Sequence, residues 1–135
     1  VVTRIYDNLA DNALRKKIAA RFLLPVPVFS SWITIVTLTR NSCCHHSRVW
    51  NKENALLPML LRKHQRAWIG TGISSNRIFY NLCILKWFVD IISPENDMKR
   101  HLKKLLSDFP SVDVTAMGFP KNWEEEPLWC STPRG

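Results

Sequence analysis

Apolar positions along this chain recur at helical spacing. From Ile78 the steps are four and three, through Leu82, Leu85, Val89 and Ile92, with Phe79, Ile84, Phe88 and Ile91 widening the stripe. That spacing predicts a helix that is the most buried element of the protein, with Lys86 and Asp90 as an i,i+4 pair on its thin polar side. Upstream, Asp11 is placed to cap a helix reaching about Phe22. Leu14, Ile18 and Phe22 fall four apart on one side of it, and Arg15, Lys16, Lys17 and Arg21 fall mostly on the other. Pro25 and Pro27 then break the pattern. Downstream, Ser93-Pro94-Glu95 reads as a cap, a first-turn proline and an acid at the positive end of a further helix. Met98, Leu102, Leu105 and Leu106 form its apolar face, and Lys103 and Lys104 sit near its end.

Ser30 to Cys44 carries two competing signals. Ile33, Ile35, Val36, Thr37 and Thr39 are β-branched, and local propensity favours a strand. The length of the run and the absence of turn residues favour a helix, with Trp32, Ile35, Val36 and Thr39 sharing a face, and the segment is read as helical. Residues 47–74 contain Pro58, Gly70 and Gly72 and form a long basic connection of the kind that often carries function. Residues 108–135 form an irregular tail rich in Trp and Pro. Four to five helices and no strand make this an all-α bundle, expected to be a single domain over residues 1–135.

Charge changes the picture because it is uneven. The net +8 is carried by residues 1–77, with twelve basic against three acidic side chains; residues 78–135 carry seven against eight. A uniformly basic polyelectrolyte is excluded, and the first half is the part suited to a polyanion. The apolar stretch Ile78–Ile92 is too short for a bilayer and contains Asn81, Lys86 and Asp90, so no membrane association is expected. The chain begins Val1-Val2-Thr3 without a basic-then-apolar leader. Cys43, Cys44, Cys83 and Cys130 do not have the spacing of a disulfide framework. Together these point to a reduced, cytoplasmic protein.

The densest polar cluster is Arg40-Asn41-Ser42-Cys43-Cys44-His45-His46-Ser47-Arg48, at the end of the Ser30–Cys44 segment. On a helix Asn41 and His45 are i,i+4 neighbours, and Arg40 lies about 140° round the axis from His45. An imidazole titrating near neutrality beside a fixed cation suits phosphodiester cleavage, the base taking a 2′-hydroxyl proton and the cation meeting charge on phosphorus. A plainer reading stands beside this one, since Arg and His near a helix end are often solvated or compensate the helix dipole. Four consecutive Cys and His residues cannot converge on one tetrahedral ion, and no second ligand pair exists elsewhere, so no metal or other cofactor is expected. Glu124-Glu125-Glu126 reads as a solvated run, because paired-carboxylate hydrolysis needs a second acidic cluster. His64 and His101 have no suggestive partners, and Trp123 and Trp129 are expected to staple the tail to the bundle. Arg62, Lys63 and Arg66 read equally well as a phosphate track or as solubilising charge.

Several strings resemble one family in order along nearly the whole chain. These are Ser31-Trp32, Thr39-Arg40-Asn41, His45-His46-Ser47-Arg48-Val49-Trp50-Asn51, Asn76-Arg77-Ile78-Phe79 and Leu82-Cys83-Ile84-Leu85-Lys86. Near the end come Ala116-Met117-Gly118-Phe119-Pro120, Asn122-Trp123 and Glu126-Pro127-Leu128-Trp129. They resemble the Abi-like proteins, bacterial abortive-infection proteins of the AbiD/AbiF type, and within them the C-terminal half of a longer domain. The resemblance implies a HEPN-like helical bundle and a metal-independent endoribonuclease of phage defence. It makes His45 or His46 the general acid/base, Arg40 the phosphate stabiliser and Asn41 a positioning group; on charge alone, Arg48, Lys52, Arg62, Lys63 and Arg66 are expected along the RNA. The implied products are a 2′,3′-cyclic phosphate and a 5′-hydroxyl. The implied partner is a second copy meeting the first through the Arg40–His45 region, and an N-terminal half is expected to be missing. The alternative is a non-catalytic or truncated HEPN-like module that binds RNA or a protein.

Overall fold

The structure, a computed structural model, describes residues 2–8, 11–45, 50 and 52–130. They form six α-helices and one 3-10 turn, with no strand among the described residues. The helices are α1 (Val2–Asp7), α2 (Asn12–Arg21), α3 (Val26–Cys44), α4 (Ile78–Ile92), α5 (Met98–Asp108) and α6 (Pro127–Cys130), and the 3-10 turn is Trp123–Glu125. The all-α expectation therefore holds, with the two short helices α1 and α6 in addition to those expected.

Asp11 caps α2 as its sequence position suggests, its carboxylate accepting from the backbone N–H groups of Ala13 and Leu14 at 2.9 and 3.4 Å. Ala19 is the buried residue of this helix, whereas Leu14 is left exposed. The helix ends in a Schellman arrangement: Leu24 N–H donates to Ala19 C=O at 3.2 Å and Leu23 N–H to Ala20 C=O at 3.0 Å. Leu23 takes φ 58° there, a conformation that glycine adopts more cheaply.

Pro25 and Pro27 start a helix where the sequence suggested a break. Pro25 is the N-cap of α3 and Pro27 lies in its first turn, where a missing N–H leaves nothing unsatisfied. The β-branched run that competes for a strand is helical throughout. The hydroxyls of Thr34, Thr37 and Thr39 donate to the carbonyls of Ser30, Ile33 and Ile35, four residues back, at 3.0, 2.9 and 2.8 Å. With its threonine hydroxyls satisfied on its own backbone, α3 becomes the hub against which α1, α2 and α4 pack. Trp32, with no exposed surface, stacks on Trp68 at 4.9 Å and meets Trp87 edge-on at 5.8 Å. Each buried indole of α3 and α4 finds an acceptor: Trp32 Nε1 donates to Met59 C=O and Trp87 Nε1 to Phe22 C=O.

The connection from Lys52 to Arg77 has no helix, and it is anchored along its length. Met59 N–H donates to Ser31 Oγ at 2.8 Å, Leu61, Trp68 and Ile69 enter the core, and Gly70 N–H donates to Glu126 Oε2 at 2.7 Å. Glu126 is thus tied to the connection, and Glu124 pairs with Lys103 at 3.0 Å. Two of the three glutamates have partners, so the acidic run is more than a solvated stretch.

Helix α4 is the most buried element, and it is buried on more than its apolar stripe: Ile78, Phe79, Ile84 and Phe88 of the stripe enter the core, and so does the polar side. Asn81, Lys86 and Asp90 point inward and are 8%, 3% and 6% exposed, while Leu85 and Ile92 are 37% and 69% exposed. The reason lies in the tail. Met117 C=O accepts from Phe79 N–H at 2.9 Å at the first turn of α4. Phe119, Trp123 and Trp129 close over Phe79, with ring centroids 4.5 to 6.4 Å from it, which bears out their reading as staples. Under that cover Lys86 Nζ donates to Asp90 Oδ1 at 2.6 Å and lies 5.7 Å from the Trp129 ring centre. Asn96 Nδ2 adds a second donor to Asp90 Oδ1 at 2.8 Å.

That use of Asn96 also displaces the start of α5. Ser93 closes α4 rather than capping α5, Asn96 Oδ1 accepts from Met98 N–H at 3.1 Å, and helix runs from Met98. Leu102 is buried, but Leu105, expected on the apolar face, is exposed.

Candidate functional site

The Arg40–His45 cluster is the last turn and a half of α3, with His45 as its C-cap residue. Its N–H donates to Asn41 C=O at 3.0 Å, as helical continuation requires. Arg40 and His45 are both exposed, and Asn41 is half-buried. Arg40 Nη1 donates to Asn41 Oδ1 at 3.3 Å, which draws the guanidinium round toward the flank that Asn41 shares with His45. His46 and Arg48 lie outside the described residues, so their geometry is not placed beside this group.

Of the basic residues expected along an RNA, Lys52, Arg62 and Lys63 are exposed and Arg66 is half-buried. None of the four makes an ion pair among the described residues. Arg62, Lys63 and Arg66 ride on the stretch whose Leu61 and Trp68 anchor it to the core. Lys52 stands apart from them, because it lines a cleft.

That cleft, of about 240 Å³, opens on a different flank of α3 from Arg40. Its apolar walls are Ile35, Leu38, Leu56 and Ile78, and its polar groups come from Thr39, Ser42, Lys52, Asn54 and Asn81. Asn81 Nδ2 donates to Thr39 Oγ1 at 2.9 Å, and Asn54 Nδ2 reaches Asn81 Oδ1 at 3.5 Å. Asn54 is itself held by its backbone N–H, which donates to Asn76 C=O at 2.7 Å. Neither Arg40 nor His45 lines the cleft. Sequence reasoning missed Asn54 and Asn81; the available signal was an asparagine in the middle of an otherwise apolar helix, a group that needs partners when buried.

Cys43, Cys44, Cys83 and Cys130 are all free, with Cys83 alone buried. Burial pushes the Cys83 thiol well above its ordinary range, opposed only in part by Trp129 Nε1, which donates to its sulfur at 3.3 Å. Burial likewise raises the Tyr80 phenol to about 12. Neither group is poised as a nucleophile near neutral pH. Among the described residues no three His, Cys, Asp or Glu side chains gather as a metal site. No single helix among them is long and apolar enough to cross a membrane.

The described residues define an all-α arrangement in which an exposed Arg40 and His45, with a half-buried Asn41, lie at the end of the central helix α3. Residues 1–51 match the model of the Abi-like protein family, and this match supports an Abi-like family assignment. It covers α1 to α3 and the whole Arg40–Arg48 cluster, and it ends before the Gly118–Trp129 tail. No curated protein and no solved structure matches the chain.

Proposed function

We propose that this protein acts in abortive infection as a HEPN-type endoribonuclease, cleaving RNA with Arg40, Asn41 and His45. The observation that carries the reading is the exposed end of α3, where the Arg40 guanidinium is held by Asn41 toward the His45 flank. In the reaction His45, or its neighbour His46, takes the proton of a ribose 2′-hydroxyl. The freed oxygen attacks the adjacent phosphorus, and Arg40 balances the charge that builds on the non-bridging oxygens. The 5′-oxygen leaves with a proton from an imidazolium, giving a 2′,3′-cyclic phosphate and a 5′-hydroxyl. A second copy bringing up its own Arg40–His45 segment would supply that imidazolium, which makes a homodimer the working form. Arg48, Lys52, Arg62, Lys63 and Arg66 would hold the RNA backbone without reading its sequence. The cytoplasm is where such a substrate is met.

The test is cleavage of end-labelled single-stranded RNA by the purified chain. Arg40→Ala and His45→Ala should each slow cleavage by about 100-fold or more, with helical content and thermal midpoint unchanged. Cleavage persisting at the original rate in both variants refutes the assignment. A second reading, an RNA- or protein-binding module without catalysis, is favoured by one observation: the cleft lies apart from Arg40 and His45. It predicts RNA retention with no cyclic-phosphate product.

A further inference from the structure

The cleft beside α3 has two properties that together point to a ligand. Its apolar walls are Ile35, Leu38, Leu56 and Ile78, while its polar groups are amides and hydroxyls, Thr39 and Ser42 of α3 among them, with one cation, Lys52. Among the described residues it contains no carboxylate to repel an anion. At about 240 Å³ it falls below the roughly 300–1,000 Å³ of pockets for drug-sized ligands, so it admits one ring system and no more.

The second property is unused hydrogen-bonding capacity on a buried group. A primary amide offers two donors and two acceptor sites. Asn81, 8% exposed, spends one donor on Thr39 and one acceptor site on the long 3.5 Å contact from Asn54. Asn81 lines the cleft, and its second N–H and second acceptor site have no protein partner among the described residues. Asn54 has its Nδ2 engaged and its Oδ1 without a protein partner among the described residues, and Ser42 brings a hydroxyl to the same wall. Beside its aliphatic walls the cleft thus offers amide donors, amide acceptors and a hydroxyl to whatever enters it. That pattern matches the edge of a heterocyclic base, with apolar surface for its faces.

We propose that this cleft is a nucleobase pocket that takes one unstacked base of single-stranded RNA. Asn54 and Asn81 read its edge, Ile35, Leu38 and Leu56 pack its faces, and Lys52 meets the adjoining phosphate. The inference rests on the reading of RNA as the substrate and places one nucleotide on the flank of α3 away from Arg40. Sequence-specific RNA recognition generally targets unpaired bases splayed out of the stack, and a single pocket of this size suits one such base.

The experiment titrates AMP, GMP, CMP and UMP, with ribose 5-phosphate as the base-free probe, into the 15N-labelled full chain and follows the side-chain amide resonances of Asn54 and Asn81. Nucleotides should shift those resonances saturably, one base most strongly, and ribose 5-phosphate should bind at least tenfold more weakly. Ser42→Phe, which fills the cleft, should weaken nucleotide binding at least tenfold. Asn54→Ala is the second variant should Ser42→Phe fail to fold, and it should also change the order of preference among the bases. Equal binding of ribose 5-phosphate overturns the proposal, as does unchanged binding in a folded Ser42→Phe or Asn54→Ala variant, or no saturable shift with any nucleotide. Cleavage is scored separately. RNA cut by a chain whose cleft binds no nucleotide sinks the pocket alone, and nucleotide binding without any cutting sinks only the ribonuclease reading.

Discussion

Removing the Asp90 carboxylate should destabilise the protein far more than the ion pair itself stabilises it. Lys86 and Asp90 meet at 2.6 Å with side chains only 4% and 7% exposed. At an effective dielectric of about 20, two unit charges at that distance attract by roughly 6 kcal/mol. Desolvation costs several kcal/mol for each ion, so the pair is close to neutral overall. Asp90→Ala leaves the desolvation of Lys86 with nothing opposite it except the Trp129 ring, 5.7 Å away, and it strips Asn96 Nδ2 of an acceptor. The expected loss is about 3–5 kcal/mol, a large part of the roughly 5–15 kcal/mol that holds a domain folded. Urea unfolding at pH 7, followed by tryptophan fluorescence, measures it. The diagnostic variant is Lys86→Met with Asp90→Leu, which removes both charges and keeps the volume. It should be more stable than Asp90→Ala and lie within about 1 kcal/mol of the wild type or above it. A loss below 1 kcal/mol in Asp90→Ala, or a double variant worse than the single, refutes the account of a buried pair that is needed only because each member needs the other.

Three further outcomes follow from the backbone and the buried phenol. Gly118 has φ +88°, and a Cβ there would lie 2.5 Å from Arg77 Cβ, so Gly118→Ala should cost about 2–4 kcal/mol in chemical unfolding; a change under 1 kcal/mol means that the tail does not seat on α4 as described. Because Leu23 occupies a left-handed position, Leu23→Gly should be more stable than Leu23→Ala by about 1 kcal/mol, although both lose the same packing; equal stabilities would remove the Schellman argument. Burial raises the Tyr80 phenol to about 12 from 10.0, so the unfolded chain loses that proton first as the pH rises. Its contribution is fully present below pH 10 and is lost toward pH 12, a fall of roughly 2–3 kcal/mol that Tyr80→Phe should flatten and that unfolding at stepped alkaline pH will show.

What could be read in the sequence was local. The Asp11 cap, the helical run through Trp32 and Ile35, and the Arg40-Asn41…His45 spacing depend on neighbours within one or two turns, and periodicity finds them. The burial of the polar side of α4 was not legible, because Asn81, Lys86 and Asp90 are covered in part by a tail some 40 residues downstream, while Ile78, Phe79, Ile84 and Phe88 are buried as their spacing suggests. The Ser93 start for α5 failed for a similar reason: Asn96 is recruited by Asp90 on the preceding helix, and the cap moves with it. The cleft was invisible for a third reason. Its wall is assembled from residues 35–42, 52–56 and 78–81, and no single stretch carries its signature.

The closure of the tail over α4 also sets the order in which the protein can be completed as it is made. Helices α2 and α3 and their caps form from contacts that are close in sequence, but Cys83 and Lys86 take Trp129 as a partner, more than 40 residues later. Bringing residues that far apart together costs loop-closure entropy that local helical contacts do not. A chain leaving the ribosome therefore lacks the Trp129 contact to Lys86 until α6 has been made. Helix α6 thus acts as a latch on α4, with Trp129 reaching the buried Cys83 and Lys86 at once.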